Sequence, residues 1–127
     1  RITEAMQRLR DAGIRVSMFI EPEQAQVDAS ARIRADMVEL HTGAFANAQG
    51  ALQNTEVERL VLASRRAFES GMQVNAGHGI NYTNIAKIRT IPHLVDLNIG
   101  HSIVSRSIFV GLESAVAEMV RLMEARA

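Results

Sequence analysis

Two short turns carry the residues best suited to chemistry. Gly77-His78-Gly79 and Gly100-His101-Ser102 each set a histidine beside glycine. Both follow a run that reads as a β-strand, and both precede helical sequence. Glycine lets backbone N–H groups approach a ligand and a helix N-terminus favours negative charge, so the pair is suited to gripping a phosphoryl group. The plainer alternative is that the glycines only permit tight turns. Histidine is the side chain whose ordinary titration lies nearest neutrality, which makes His78, centred between two glycines, a candidate general acid or base. Gly79, Gly100 and His101 are the candidate phosphate contacts.

Glu39 is the third group of interest. It lies between Val38 and Leu40 on a strand expected to be covered by helices, and burying a carboxylate costs several kcal/mol (~) unless something compensates. A role in proton transfer or charge stabilisation would explain it; an ion pair with Arg15 or Arg106 is the structural alternative. His41 shares the strand face of Glu39 by the two-residue period and could orient it, contact substrate, or serve only as a satisfied supporting histidine. His93, after Pro92, is expected to face solvent. Arg106 could neutralise phosphate from the helix after the second turn, or simply be solvated.

Glu39, His41, His78 and His101 are also the residue types that bind zinc or iron. Their spacing does not support a metal site, because neither His-x-His nor His-Glu-x-x-His occurs. Walker, nucleophile-elbow and dinucleotide-binding patterns are missing as well. The six methionines suit core filling better than a cofactor box.

The elements that must position these groups alternate. A helix over Ile2 to Ala12 ends at Gly13, and Val16 to Ile20 reads as a buried strand. Glu21-Pro22 then opens a helix with Ala25, Ala29 and Ile33 inward. Met37 to Thr42 is a second strand, followed by a small-residue loop from Ala44 to Asn54. A capping box of Thr55 and Glu58 launches a helix carrying Leu60, Val61, Ala63, Ala67 and Phe68 to Gly71. Gln73 to Ala76 is a third strand, and a helix from about Tyr82 to Thr90 follows with Asn81 as its cap. Leu94 to Ile99 is the fourth strand; a short helix spans Ser102 to Val110, and another from Leu112 to Arg126 buries Val116, Met119, Val120 and Met123.

Four strand–helix units call for an α/β fold with a parallel sheet. An open doubly wound sheet is one solution. A complete (β/α)8 TIM barrel needs about 250 residues, so 127 residues with four units approach half of one, about strands five to eight. On this reading residues 1–127 form the C-terminal half of a single barrel domain whose true start lies upstream of Arg1. A polar residue in every strand, Ser17, Glu39, Asn75 and Asn98, favours the barrel, whose lining would collect them. The two glycine–histidine turns would then be the loops after strands seven and eight, where barrels commonly bind phosphate.

Composition narrows the function classes. The chain is 47% hydrophobic and 22% charged, which argues against intrinsic disorder. Fourteen basic residues balance fourteen acidic ones, so no net field recommends nucleic acid or an anionic membrane. No apolar run approaches the roughly 20 residues of a membrane span. The lack of cysteine excludes a disulfide scaffold and fits a reducing compartment, with the cytoplasm as the default.

Read in order, VSMFIEPE, VELHTG, VNAGHGINYTNI and DLNIGHSIVSRSIFVGLESAVAEM cover nearly the whole chain. These blocks resemble the C-terminal part of the pyridoxine 5'-phosphate synthase family. The resemblance implies a (β/α)8 enzyme of vitamin B6 synthesis that condenses 1-deoxy-D-xylulose 5-phosphate with 3-amino-2-oxopropyl phosphate. Pyridoxine 5'-phosphate, inorganic phosphate and water are the products. By the same resemblance Glu39 corresponds to a glutamate assisting proton transfer or stabilising the transition state, and His78 to a proton donor. Gly79, Gly100 and His101 correspond to the amino-ketone phosphate site. No metal or redox cofactor is implied, and the family forms homo-oligomers, often octamers. Its remaining catalytic residues belong to an N-terminal half that these 127 residues lack, so the chain alone is expected not to turn over.

Two other readings compete. One is a different phosphosugar enzyme on the same barrel, performing isomerisation or aldol cleavage. The other is a non-catalytic half-barrel module whose open strand edges drive self-association.

Overall fold

The computed structural model describes residues 1–125. Its centre is a sheet of four parallel strands, β1 (Ser17–Ile20), β2 (Met37–His41), β3 (Gln73–Gly77) and β4 (Leu94–Asn98), lying side by side in chain order. That order decides between the two architectures. A doubly wound sheet reverses its strand order at a switch point, whereas a barrel adds each strand beyond the last.

The burial pattern agrees with a barrel segment. Val38, Leu40, Val74 and Ala76 point to one face and are buried. Beneath them lie Val27 from α2 (Gln24–Arg32), Leu60, Ala63 and Ala67 from α4 (Gly50–Glu69), and Ile85 and Ile88 from α5 (Ile85–Ile88). Each fully buried Val, Leu or Ile among them contributes about 1.5–3 kcal/mol. The opposite face carries Ser17, Phe19, Glu39, His41, Asn75 and Gly77 by the strand register. It is polar and open at Phe19, which is 57% exposed, while Asn75 is buried. The expected polar lining is therefore one surface, and Glu39 stands on it, away from the helices that were expected to bury it.

Strand β4 reaches the same face through an irregularity. Leu94 to Asn98 reads Leu-Val-Asp-Leu-Asn, in which strict alternation would put Leu94 with Asp96 and Asn98. The register instead pairs Val74 with Leu94 but Asn75 with Asp96, leaving Val95 as an extra residue. Such a bulge moves every later side chain to the other face. Leu94 and Leu97 thus both pack on the core, while Asp96 and Asn98 join Asn75 and Gly77 on the polar side.

Helix ends follow local chemistry where glycine supplies it. In α1 (Ile2–Asp11) and α4 the chain turns off through Gly13 and Gly71 at φ +73° and +81°. Amide hydrogen bonds from Ile14 to the Leu9 carbonyl and from Met72 to the Ala67 carbonyl close both ends. Across the outer layer, Arg66 of α4 binds Asp28 of α2 at 2.8 Å. Hydrogen bonding and charge attraction from Asp28 push that guanidinium up from its ordinary range.

Several expectations are corrected. Pro22 precedes the helical turn, because Glu23 is extended and caps α2, which begins at Gln24. The inward residues shift accordingly to Val27 and Ser30, and Ala25 is exposed. The segment expected as a loop holds α3 (Gly43–Asn47) and the start of α4. Its alanines, leucine and glutamine are good helix formers, and Thr55 lies within α4, its hydroxyl bonded back to the Ala51 carbonyl at 3.4 Å. Helix α5 is one turn long, not Tyr82 to Thr90. Nor is Asn81 its cap: Asn84 is the N-cap and makes no side-chain capping bond, while the Asn81 side-chain oxygen accepts from the Thr83 and Asn84 amides of the preceding turn, at 2.9 and 3.0 Å. Phe68 is exposed and stacks on the equally exposed His93, ring centroids 3.8 Å apart.

The last two helices are α6 (His101–Val110) and α7 (Leu112–Glu124). In α7 the buried residues are Ala115 and Met119, with Val116, Val120 and Met123 exposed. Its apolar stripe is wider than the neighbours, α5 and α6, that cover it. Arg126, expected as the end of this helix, lies outside the described residues.

Candidate active site

Parallel strands bring all their C-terminal ends to one rim, so residues far apart in the chain converge there. A cleft of about 520 Å³ opens at this rim, lined by Glu39, His78, Gly79, Asn98, Gly100 and His101 among others. The five expected site residues are thus collected from the ends of β2, β3 and β4.

Glu39 gains its position from two residues on other strands. Gly77 is its neighbour on β3, and a Cβ built there would collide with the Glu39 carboxylate. The missing side chain leaves a passage across β3. Through it the second carboxylate oxygen accepts a hydrogen bond from the Asn98 side-chain amide at 2.5 Å. Arg15 and Arg106, the expected ion-pair partners, bind elsewhere, to Gln73 and Glu118. Held by an uncharged donor and half-buried, Glu39 keeps its other oxygen over Gly77.

His78 sits in the left-handed backbone region at φ +77°, followed by Gly79 at +75°. For a residue with a Cβ this costs about 1–2 kcal/mol, so the surroundings must enforce it. Thr42 does so from beneath. Its buried hydroxyl lies 2.8 Å from the Gly77 carbonyl oxygen and 2.5 Å from that of His78, and its amide donates to Gly77 at 2.9 Å. Gly79 is required as well, since a Cβ there would lie 2.6 Å from the Ala46 methyl group. Asn84 closes the turn by donating to the Gly79 carbonyl at 3.0 Å.

The second turn ends at the start of a helix. Gly100 is the N-cap of α6 and His101 its first residue, and no side chain caps this end. The first amides of a helix have no partner within it, so they face the cleft as donors reinforced by the helix dipole. Ser102 anchors the helix start to the first turn by donating to the Ile80 carbonyl at 2.8 Å. Arg106, one candidate for charge neutralisation, instead forms a 3.0 Å ion pair with Glu118 of α7.

Of the readings open for His41, the geometry fits a supporting histidine bonded to Glu21 and not one that orients Glu39. Its Nδ1 meets Glu21 Oε1 at 2.5 Å, and its ring lies edge-on to His78 with centroids 4.8 Å apart. Among the described residues no three histidine or acidic side chains are grouped to hold a metal ion, and no helix is long and apolar enough to cross a membrane.

Sequence reasoning overlooked Thr42 and Glu21 as parts of the site, and named Asn98 only as a lining residue without its bond to Glu39. The signals existed, a hydroxyl at the end of a strand and amide or acid side chains beside turns. Nothing local distinguishes these from ordinary strand-end polar residues.

Comparison with known proteins identifies the family. The family model described as "Pyridoxal phosphate biosynthesis protein PdxJ" matches residues 1–125. The pyridoxine 5'-phosphate synthase of Rhodopirellula baltica is 48% identical over 124 residues, covering 98% of this chain and 50% of the relative. That of Akkermansia muciniphila is 53% identical over 119 residues, covering 93% and 48%. The Opitutus terrae protein of the same name is 49% identical over 121 residues, covering 94% and 49%. The chain spans about half the length of these relatives. It belongs to the pyridoxal phosphate biosynthesis protein PdxJ family.

Proposed function

We propose that the chain is the C-terminal half of a single (β/α)8 barrel domain, residues 1–127 supplying its strands five to eight. Its activity is that of a pyridoxine 5'-phosphate synthase, joining 1-deoxy-D-xylulose 5-phosphate to 3-amino-2-oxopropyl phosphate. The observation that carries this reading is the convergence of Glu39, His78 and the two glycine turns on one cleft. The names of the relatives support the product, and the substrate assignment follows from the family resemblance.

The roles follow from chemistry. Backbone amides at Gly79, Gly100 and His101 bind the phosphate of the amino-ketone, helped by the α6 dipole. His78 donates a proton to a leaving oxygen, and Glu39 stabilises positive charge or accepts a proton as the ring forms. Condensing an amine with a ketone, losing phosphate and aromatising a ring each require proton transfers, and these groups are sited to serve them. The polar sheet face supplies one wall of the site, so the other half of the barrel is needed to enclose the substrates.

Association is part of the proposal. Both edges of the sheet are open, and Ile108 and Phe109 of α6 are 78% and 82% exposed. Surfaces of this kind are normally covered by partner chain, and the family resemblance points to a homo-oligomer, an octamer; the lack of cysteine fits a reducing compartment, the cytoplasm.

The test is product formation by the chain alone and by the chain joined to, or mixed with, an N-terminal half-barrel from a relative. Turnover is expected only with both halves, and His78→Ala is expected to abolish it. Equal activity of the isolated chain would overturn the half-site reading. In parallel, titrating inorganic phosphate should shift the amide NMR signals of Gly79, Gly100 and His101 together; shifts confined to one turn would separate the two loops.

A further inference from the structure

Glu21, His41 and His78 stand at the ends of three successive strands: just past β1, last in β2, and just past β3. Their side chains form a continuous series. Glu21 Oε1 lies 2.5 Å from His41 Nδ1. An ionised carboxylate only accepts hydrogen bonds, so Nδ1 carries the proton and a neutral His41 ring presents Nε2 as a bare acceptor. That far side of the ring rests against Gly43. A Cβ built on Gly43 would come within 2.6 Å of His41 Nε2, 2.8 Å of its Cε1 and 3.3 Å of His78 Cδ2. The absent side chain at Gly43 is the space in which the two imidazoles meet.

Thr42 holds the backbone of His78, but among the described residues the His78 ring makes no hydrogen bond of its own. What it touches is His41, edge-on at 62° with centroids 4.8 Å apart. His41 is held on two further sides: Glu21 tethers one end and Phe19 packs against the ring with centroids at 5.2 Å.

We propose that Glu21 and His41 are positioning residues for His78: the carboxylate locks the tautomer and tilt of His41, whose ring edge aims the His78 imidazole into the cleft. This rests on the assignment of His78 as proton donor. A carboxylate that fixes an imidazole in this way is a general device for orienting a reacting group, and its removal typically lowers rates without destroying the site.

The kinetic arm uses the barrel with both halves present. Glu21→Ala should lower kcat by about 10- to 100-fold while leaving KM within about twofold. Glu21→Gln should restore most of that loss, since the amide oxygen still accepts from Nδ1. Gly43→Ala, which forces His41 away from the opposite side, should match Glu21→Ala with Glu21 intact. The structural arm is imidazole ¹⁵N NMR of the 127-residue chain. His41 should be the Nδ1-protonated tautomer in wild type and Glu21→Gln, and a mixture in Glu21→Ala. Unchanged kcat in Glu21→Ala together with an inactive His78→Ala overturns the positioning role alone. An active His78→Ala overturns the assignment of His78 beneath it. Equal losses in Glu21→Ala and Glu21→Gln with the tautomer unchanged would also sink the proposal, since charge and not orientation would then be at work.

Discussion

Glu39 on β2 and Asn98 on β4 are bonded side chain to side chain at 2.5 Å across an intervening strand. The contact exists because β3 presents Gly77 between them and because the bulge at Val95 turns Asn98 to the polar face. Three separate strands therefore determine where one carboxylate points.

Gly77→Ala should disturb this arrangement directly. The new methyl would overlap the Glu39 carboxylate and press on Asn98, destabilising the chain by about 1–3 kcal/mol. Adding Glu39→Ala should recover part of the loss, because the colliding group is gone. Urea denaturation of the two single variants and the double variant measures the coupling. Purely additive effects would mean that Glu39 does not occupy the Gly77 gap.

Asn98 should matter through Glu39. Removing the amide in Asn98→Ala frees the carboxylate to rotate, and kcat of the assembled barrel is expected to fall about tenfold or more. Asn98→Asp should be worse than Asn98→Ala, since it sets like charges within contact distance. A steady-state comparison of the two variants decides it, and indistinguishable rates would contradict the bridge.

Thr42 supports the His78 turn from below. Thr42→Val keeps the shape but removes the hydroxyl from the His78 carbonyl and leaves the Gly77 carbonyl with only the residue-42 amide, costing about 1–3 kcal/mol. Thr42→Ser should retain most of the stability. Hydrogen exchange at His78 and Gly79 should accelerate in the valine variant and stay near wild type in the serine variant.

His78 is expected to show a conflict between stability and activity. Its left-handed backbone suits glycine, so His78→Gly should keep the melting temperature or raise it, by relief of about 1 kcal/mol. Turnover should nevertheless collapse, because the proton donor is lost. Calorimetry beside an activity assay reads both quantities, and a large fall in melting temperature would show that the ring, not the backbone conformation, dominates the turn's energetics.

Much of the fold was readable because it is local. The order of four strands and the glycine stops at Gly13 and Gly71 follow from spacing and from what glycine does to a backbone. The errors have one origin, the environment of each helix. Nothing in Ala44 to Asn54 announces how its alanines will pack, and Ala25, Val116 and Val120 look apolar enough to be buried. Whether they are buried depends on neighbours that come from elsewhere in the chain.

By itself the sequence determined which groups could act, two histidines and a carboxylate among glycines, and that parallel strands would bring their ends to one rim. Tertiary structure alone decided what those groups touch. The bulge that turns Asn98 toward Glu39, the empty places at Gly43 and Gly77, and the tether from Glu21 to His41 arise between strands 20 or more residues apart. Hydrophobic periodicity records which face of a strand is buried; it carries no record of which side chain waits on the next strand.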